Sequence, residues 1–463
     1  APASGMLRAP QSPKTPEADA APPIGFHPVM TSADMSRGSI LDSIVKAYDV
    51  RGTVPDQFDA DVAYALGVGF AIFTASSVAI VARDMRPSGP ELADAFARGL
   101  MDHGVDVIDI GLASTDLLYF AAGRLDAPGA MFTASHNPAQ YNGVKFCLSG
   151  ARPVGVDTGL AEVRETARRV LNGDSPAKAA KSGRTTERDL LSAFADHVVS
   201  FIDPAQMRPM RVVADTANGM GGLVVPAVFE RLPRLELEVM YGELDGTFPN
   251  HPADPLQSAN QRDLQARVVS GSFDIGLAFD GDADRVFVVD ELGRGLSGST
   301  TTAVLAAAML RKNPGATILH NLICSRAVPE IIRENGGVPV RTKVGHSFIK
   351  QLMAETGAVF GGEHSAHYYF KDNFRADSGL IATMLMIEEM SRAGEPLSEM
   401  RRPFERYSSS GEINTQVDDP AAVIAAVSAK YSGFDQDNLD GLTVDCGPWW
   451  FNLRPSNTEP LLR

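Results

Sequence analysis

Cysteine is scarce: Cys147, Cys324 and Cys446 are the only three, scattered and odd in number. They supply neither a disulfide framework nor a metal-ligand spacing, which points to a reducing compartment, the cytoplasm. No apolar run reaches the roughly 18 to 20 residues that a membrane-spanning helix needs, so no membrane partner is expected. Positive charge is in deficit. Lys and Arg number 42 against 57 Asp and Glu, a formal net charge of −15, the wrong balance for a nucleic-acid binder. An anionic ligand would need a local basic cleft within this acidic chain. What remains is a soluble globular composition, 44% hydrophobic and 21% charged, over a length that suggests roughly three or four domains.

Residues 1–38 form a leader rich in Ala and Pro, without helical or strand period, and are expected to be disordered. Beyond them, short apolar runs alternate with helical patterns. "VAIVARD" (78–84), "VDVIDIG" (105–111) and "GAMFTAS" (129–135) read as buried strands, with Ser88 and Ser114 placed to cap the helices between. The rhythm recurs at 210–222, 235–242 and 273–290, and again at 315–321, 337–347 and 357–370. Such alternation predicts α/β units with mixed, mostly parallel sheets. The tail differs: "SGEINTQ" as a strand, a helix from Asp419 to Tyr431, then "LTVDC" and "WWFNLRPS". The expected division is 39–185, 186–295 and 296–405 as similar α/β domains and 406–463 as a smaller α+β domain.

Four polar constellations sit where strands end, the place where open α/β sheets bind ligands. In "TASHNPAQYNGVK", Ser135 follows its strand directly, and Lys145 is near enough to return to the same mouth. Ser135 and Asn137 could merely satisfy turn backbone groups; Lys145 and the position in the sheet favour a nucleophile. In "DGDADR", Asp280, Asp282 and Asp284 repel one another unless a cation joins them, and hard oxygen ligands suit Mg²⁺ or Ca²⁺. An EF-hand is excluded, because Arg285 stands where the sharp turn needs Gly. Lys343, Gly345 and His346 precede Glu363, Ser365 and His367. If 363 and 365 alternate along a strand, a carboxylate and a hydroxyl face one side and could hold two sugar hydroxyls. Three His (346, 364 and 367) equally suggest a Zn site. In "RPSNTEP", Arg454, Ser456, Asn457 and Thr458 offer one guanidinium and neutral donors, which suits a phosphate dianion or an ordinary turn.

Together with "VKAYDVRG" (45–52) and "ARDMRPSG" (82–89), these stretches resemble the α-D-phosphohexomutase superfamily, and most closely its bacterial phosphomannomutase/phosphoglucomutase group, from Ile44 to the last residue. The resemblance implies four domains around one cleft and transfer of phosphate between O1 and O6 of a hexose through a hexose 1,6-bisphosphate. It implies Ser135 as phosphoserine, and Mg²⁺ on Asp280, Asp282, Asp284 and a phosphoserine oxygen. Tyr48, Arg51, Lys145 and Arg285 would line the catalytic side, and Lys343, Gly345 and His346 would approach the sugar. Glu363 and Ser365, next to His367, would contact the O3 and O4 hydroxyls, and Arg454, Ser456, Asn457 and Thr458 would hold the non-reacting phosphate. Lys145 and His346 are both candidates for the general base. Alternatives are a phosphoglucosamine mutase and a metal-dependent serine phosphatase. Three departures from the family pattern stand out. Ala82 and Ala366 replace glycines, and the chain stops at Arg463, which implies a truncated fourth domain with Leu461 and Leu462 unpaired.

Overall fold

The computed structural model describes residues 37–455 and 461–463. The leader up to Ser36 lies outside the described residues, as do Ser456, Asn457 and Thr458, the residues expected to hold the non-reacting phosphate. The first described element is a short turn of helix at Arg37–Ser39.

The first sheet has seven strands: β1 (Val50–Thr53), β2 (Val78–Arg83), β3 (Asp106–Leu112), β4 (Gly129–Phe132), β5 (Tyr141–Leu148), β6 (Arg152–Pro153) and β7 (Thr185–Glu187). The second has four: β8 (Met210–Asp215), β9 (Leu235–Met240), β10 (Ile275–Phe279) and β11 (Val286–Asp290). The third also has four: β12 (Thr317–Asn321), β13 (Val338–Thr342), β14 (Phe360–Gly362) and β15 (Tyr368–Phe370). The tail carries β16 (Asp435–Asp437), β17 (Leu442–Asp445) and β18 (Trp450–Leu453) in one antiparallel sheet.

The three larger sheets share one spatial order. β3-β2-β4-β5, β9-β8-β10-β11 and β13-β12-β14-β15 each set three parallel strands beside one antiparallel strand. In each, a hairpin joins the third strand to the fourth. These equivalent hairpins hold Ser135, Asp280–Arg285 and Glu363–His367 respectively. Three runs with no close sequence similarity thus place their polar residues at one topological position.

One face of the first sheet buries Phe58, Phe70, Phe96, Phe132 and Phe146 against the helices Ala60–Thr74, Gly89–Asp102 and Leu160–Leu171. Its other face, under the helix Thr115–Arg124, joins a continuous apolar core shared with the second and third sheets. Burial on that scale fixes the three units against one another. The tail has only a small core of its own, Leu442, Val444 and Cys446.

Several expectations need correction. Ser114 caps its helix, accepting from Leu117 N, but Ser88 Oγ instead accepts from Asn142 Nδ2 at 2.9 Å. The strand expected over 129–135 ends at Phe132, and Ser135 sits in the following turn with φ 49°. Residues 363–367 are a hairpin turn rather than strand, so alternation does not set the directions of Glu363 and Ser365. "SGEINTQ" is not a strand; within it Thr415 alone bridges, to Leu462. Leu462 is accordingly paired, exchanging both backbone hydrogen bonds with Thr415 at 2.9 Å, and is buried.

Candidate active site

The serine loop and the acidic loop meet backbone to backbone. A Cβ on Gly281 would lie 2.5 Å from Ser135 O, so only glycine permits the approach. Ser135 Oγ donates to Asp280 Oδ2 at 2.9 Å and lies 3.2 Å from His136 Nδ1. Arg285 Nε donates to the same Asp280 oxygen at 2.9 Å, and its Nη2 is 3.5 Å from Ser135 Oγ. Lys145 Nζ, on β5, reaches Asp282 Oδ2 and Asp284 Oδ2, both at 2.7 Å. Ser135, the three aspartates, Arg285 and Lys145 are all buried.

Burial sets the electrostatics. It pushes Asp280 up to about 7, against the pull of Arg285. Burial acts the same way on Asp282, but the Lys145 ammonium and the Thr115 hydroxyl outweigh it and hold that carboxyl well below its usual range. Lys145 is desolvated too, yet Asp282 and Asp284 keep its pKa well above normal. His136 is held neutral by burial and by Arg285.

The acidic set fits a hard divalent cation. Asp280, Asp282 and Asp284 each offer an oxygen within 4.8 Å of the others. The Oδ1 atoms of Asp282 and Asp284 are buried without a hydrogen-bond partner. Unpartnered anionic oxygens in a dry site are costly unless a cation meets them.

Sequence reading left the residues that hold this arrangement without a role. Arg86, fully buried beside Asp84, donates to four carbonyl oxygens of the serine loop: Ser135 and Pro138 at 2.9 Å, Asn137 at 2.6 Å and Tyr141 at 2.8 Å. That grip holds Ser135 in its left-handed conformation, which costs a non-glycine residue about 1 kcal/mol. Thr115 starts its helix under the acidic loop, donating from Oγ1 to Asp282 Oδ2 at 2.5 Å and from N to Asp282 O at 3.0 Å. "ARDMRPSG" held the clue for Arg86, whereas nothing in the local sequence distinguishes Thr115.

On the other side, Arg51 donates to Asn137 Oδ1 at 2.6 Å and pairs with Asp49 at 2.8 Å. The Tyr48 ring meets His346 edge-on at 5.2 Å and overlies Gly345, where φ is 128° and a Cβ would come 2.9 Å from the phenol oxygen. Burial, Asp440 and Glu363 push Tyr48 up to about 12, while Arg454 acts the other way. Asp440 of the tail also accepts from Val344 N at 3.1 Å. Lys343 is exposed, with its ammonium 5.5 Å from the Phe348 ring. Buried Glu363 accepts from Gly345 N and Asn321 Nδ2, each at 3.2 Å, and from Tyr369 Oη at 2.8 Å. Ser365 beside it is half-buried.

The three histidines of the Zn alternative do not assemble. His364 Nδ1 lies 2.9 Å from Ser299 Oγ, His346 packs on Tyr48, and His367 Nδ1 lies 2.7 Å from Asp377 Oδ2. Burial and Lys350 push His346 down to about 3. Burial also works against a charged ring at His367, but Asp284 and Asp377 outweigh it and raise its pKa.

Known proteins match this chain along nearly its whole described length. The phosphoglucomutase/phosphomannomutase alpha/beta/alpha domains I, II and III match residues 42–171, 192–293 and 297–407. A protein described as "Phosphohexose mutases" from Xanthomonas campestris pv. campestris is 40% identical over 425 residues, 90% of this chain and 93% of its own. The phosphomannomutase of Escherichia coli K12 is 38% identical over 426 residues, with the same two coverages. The crystal structure of a phosphoglucomutase/phosphomannomutase family protein from Burkholderia thailandensis superposes with a TM-score of 0.82 at 32% identity, covering 91% of this chain and 92% of that one. With three domains matched in order and such relatives aligned end to end, the chain belongs to the phosphoglucomutase/phosphomannomutase family of the α-D-phosphohexomutase superfamily.

Proposed function

We propose that this chain interconverts mannose 6-phosphate and mannose 1-phosphate, and the corresponding glucose phosphates, through a phosphoserine at Ser135 and a hexose 1,6-bisphosphate. The observation that carries the reading is Ser135 Oγ at 2.9 Å from Asp280, inside a buried set of three carboxylates, one lysine and one arginine. The units divide the work: 39–185 carries the serine, 186–295 the acidic loop, 296–405 the sugar contacts and 406–463 the distal phosphate clamp.

A sugar 1-phosphate binds with O6 toward phosphorylated Ser135. The O6 hydroxyl attacks phosphorus, the bond from phosphorus to Ser135 Oγ breaks, and Lys145 and Arg285 stabilise the charge that develops there. Mg²⁺ held by Asp280, Asp282, Asp284 and a phosphate oxygen of Ser135 would supply further charge stabilisation. The bisphosphate then turns end for end, and its other phosphate returns to Ser135. Glu363 and Ser365 serve both orientations, and Arg454 holds the distal phosphate.

Of the base candidates read from sequence, Lys145 is locked as a cation between two aspartates, and His346 has no carboxylate within hydrogen-bond distance among the described residues. His367, with Nδ1 bound to Asp377, has the geometry of an oriented base whose Nε2 takes the O6 proton. A phosphatase would need neither the sugar contacts nor a second phosphate clamp.

The test is a coupled assay with mannose 1-phosphate, glucose 1-phosphate and glucosamine 1-phosphate, alongside peptide mapping of Ser135. Turnover of mannose and glucose phosphates with phosphate on Ser135 is expected. Release of inorganic phosphate without isomerised sugar would overturn the mutase reading, and a preference for glucosamine 1-phosphate would overturn the sugar assignment.

A further inference from the structure

Lys350 is a buried lysine that the mechanism leaves unused. Lys350 lies on the helix His346–Thr356 of the third unit, one turn beyond His346, and is 3% exposed. Its ammonium sits 3.6 Å from the centre of the Tyr119 ring, which belongs to the helix Thr115–Arg124 of the first unit. Its nearest carboxylate oxygen is Asp377 Oδ1, at 3.8 Å. That is too long for a hydrogen bond but close enough for a strong Coulombic attraction in a dry interior. Among the described residues, neither Lys350 Nζ nor Asp377 Oδ1 has a hydrogen-bond partner.

Asp377's other oxygen, Oδ2, takes His367 Nδ1–H at 2.7 Å. This bond selects the ring tautomer and leaves Nε2 as the free acceptor; among the described residues Nε2 has no partner. The carboxylate can turn about its terminal torsion, a soft degree of freedom. An ammonium on its Oδ1 side fixes that torsion, and an aromatic face beneath the ammonium fixes the cation. As a packing element alone, Lys350 would be a poor choice, because a buried ammonium carries a desolvation cost that a methionine of similar volume would not.

We infer that Lys350 is a positioning residue: seated on the Tyr119 ring, its ammonium holds Asp377 in the orientation that fixes His367 Nδ1–H and directs Nε2 at the reacting hydroxyl. This rests on the role given to His367 above. It also ties base alignment to the seam between units, since Lys350 and Asp377 belong to the third unit and Tyr119 to the first. A second contact crosses the same seam one residue on, where Ser378 Oγ donates to Asp116 Oδ2 at 2.6 Å.

The test uses the full chain, with Lys350→Met, Asp377→Asn and, for signal assignment, His367→Gln. Steady-state kinetics on mannose 1-phosphate are paired with ¹⁵N spectra of histidine-labelled protein in mildly alkaline buffer, where the ring tautomer can be read directly. Lys350→Met should lower kcat by about tenfold or more, the scale of lost outer-shell support, with KM nearly unchanged. The His367 signals should move from a single Nδ1–H form toward a mixture. Wild-type kcat together with an unchanged His367 spectrum in Lys350→Met would overturn the inference. If Lys350→Met does not fold, Asp377→Asn decides alone. Its amide keeps the shape but can present NH₂ to the ring, so the Nε2–H form and a lower kcat are expected, and no change in either overturns the proposal. If the wild type shows no mutase turnover, the functional reading fails, while the tautomer spectra still decide whether Lys350 positions His367.

Discussion

The hairpins between β10 and β11 and between β14 and β15 occupy the same position in sheets of the same strand order, yet they are held by different forces. The first, Asp280–Arg285, is locked by charge: Asp282 and Asp284 on Lys145, Asp280 on Arg285. The second is held by neutral donors, with Glu363 accepting from a backbone amide, an Asn and a Tyr. Each carries one alanine in the left-handed region, Ala283 at φ 59° and Ala366 at φ 66°. The equivalent first hairpin puts Ser135 there, at φ 49°. One backbone shape thus carries the three stretches to which the proposed function gives the roles of nucleophile mount, cation cradle and sugar loop. Lysine and arginine lock the acidic loop, whereas the Glu363 end of the other turn is held by donors without charge, as suits the proposed role of accepting a sugar in two orientations.

Cutting the charge lock should have the largest effect. Asp282→Asn leaves Lys145 with one carboxylate and a buried amide. Breaking a buried pair costs about 3–5 kcal/mol, so a clear loss of stability is expected along with activity reduced by about a thousandfold or more. Thermal melts and turnover read both. Ser135→Ala is its control, expected to abolish turnover while leaving the melt within a few degrees. An Asp282→Asn protein that melts like the wild type would show that the lock is not what holds this loop.

Metal removal probes the same loop more gently. Chelation should abolish turnover, and Mg²⁺ should restore it better than Ca²⁺, which prefers more and looser ligands. The pH dependence has a defined sign. Burial raises Asp280 to about 7, above its unfolded value near 3.8. The metal-free folded state therefore holds a proton that the unfolded state has released. This contribution to stability is full below the unfolded pKa and is lost as pH rises toward about 7. Cation binding must expel that proton, so Mg²⁺ affinity should climb with pH up to about 7 and level off above it. Calorimetric titration at several pH values checks this, and a flat profile would place the proton elsewhere.

Glu363→Gln tests the neutral loop. If Tyr369 still donates to the amide oxygen, the NH₂ faces both Gly345 N and Asn321 Nδ2; if the amide flips, the NH₂ meets the Tyr369 hydroxyl, whose proton loses its acceptor. Two donors meeting cost about 1–3 kcal/mol. Use of mannose and glucose phosphates should fall together, mostly through KM, and by far less than in Asp282→Asn. Selective loss of one sugar would mean that Glu363 does not read hydroxyls common to both.

Much of this was legible beforehand, for identifiable reasons. Strand 78–83 buries its four middle residues in succession, so its apolar run announces it. Asp280, Asp282 and Asp284 point to a cation because like charges in one turn repel, and the structure brings their carboxylates together as a group that could hold one. What stayed hidden was long-range. Thr115 lies 167 residues from Asp282 and Lys350 27 residues from Asp377, and no local pattern links such partners. The turn at 363–367 was misread because "GEHSAHYYF" alternates like a strand, and only the left-handed Ala366 breaks it. Alanine gives no sign of that conformation, whereas a glycine would have.

The smallest effect, and the sharpest test of the contrast, comes from those two alanines. Ala283→Gly and Ala366→Gly change the same atom in the same backbone conformation, and both methyls are fully buried. Glycine relieves a left-handed strain of about 1 kcal/mol. Against this stand about 0.4–1 kcal/mol for the freer unfolded chain and roughly 0.8 kcal/mol for the lost methyl burial. The two sides nearly cancel, so each variant should melt within a few degrees of the wild type. Their kinetics should differ. Ala283 lies between residues pinned by Lys145 and Arg285, so Ala283→Gly should leave kcat and KM essentially unchanged. Ala366 lies in a turn whose Glu363 end is held by neutral donors and by no lysine or arginine. Loosening it should raise KM for mannose 1-phosphate by about two- to threefold at constant kcat, as expected for lost uniform binding. If both variants behave alike, the two loops are equally stiff, and the difference between charge and neutral hydrogen bonding has no bearing on how the sugar is held.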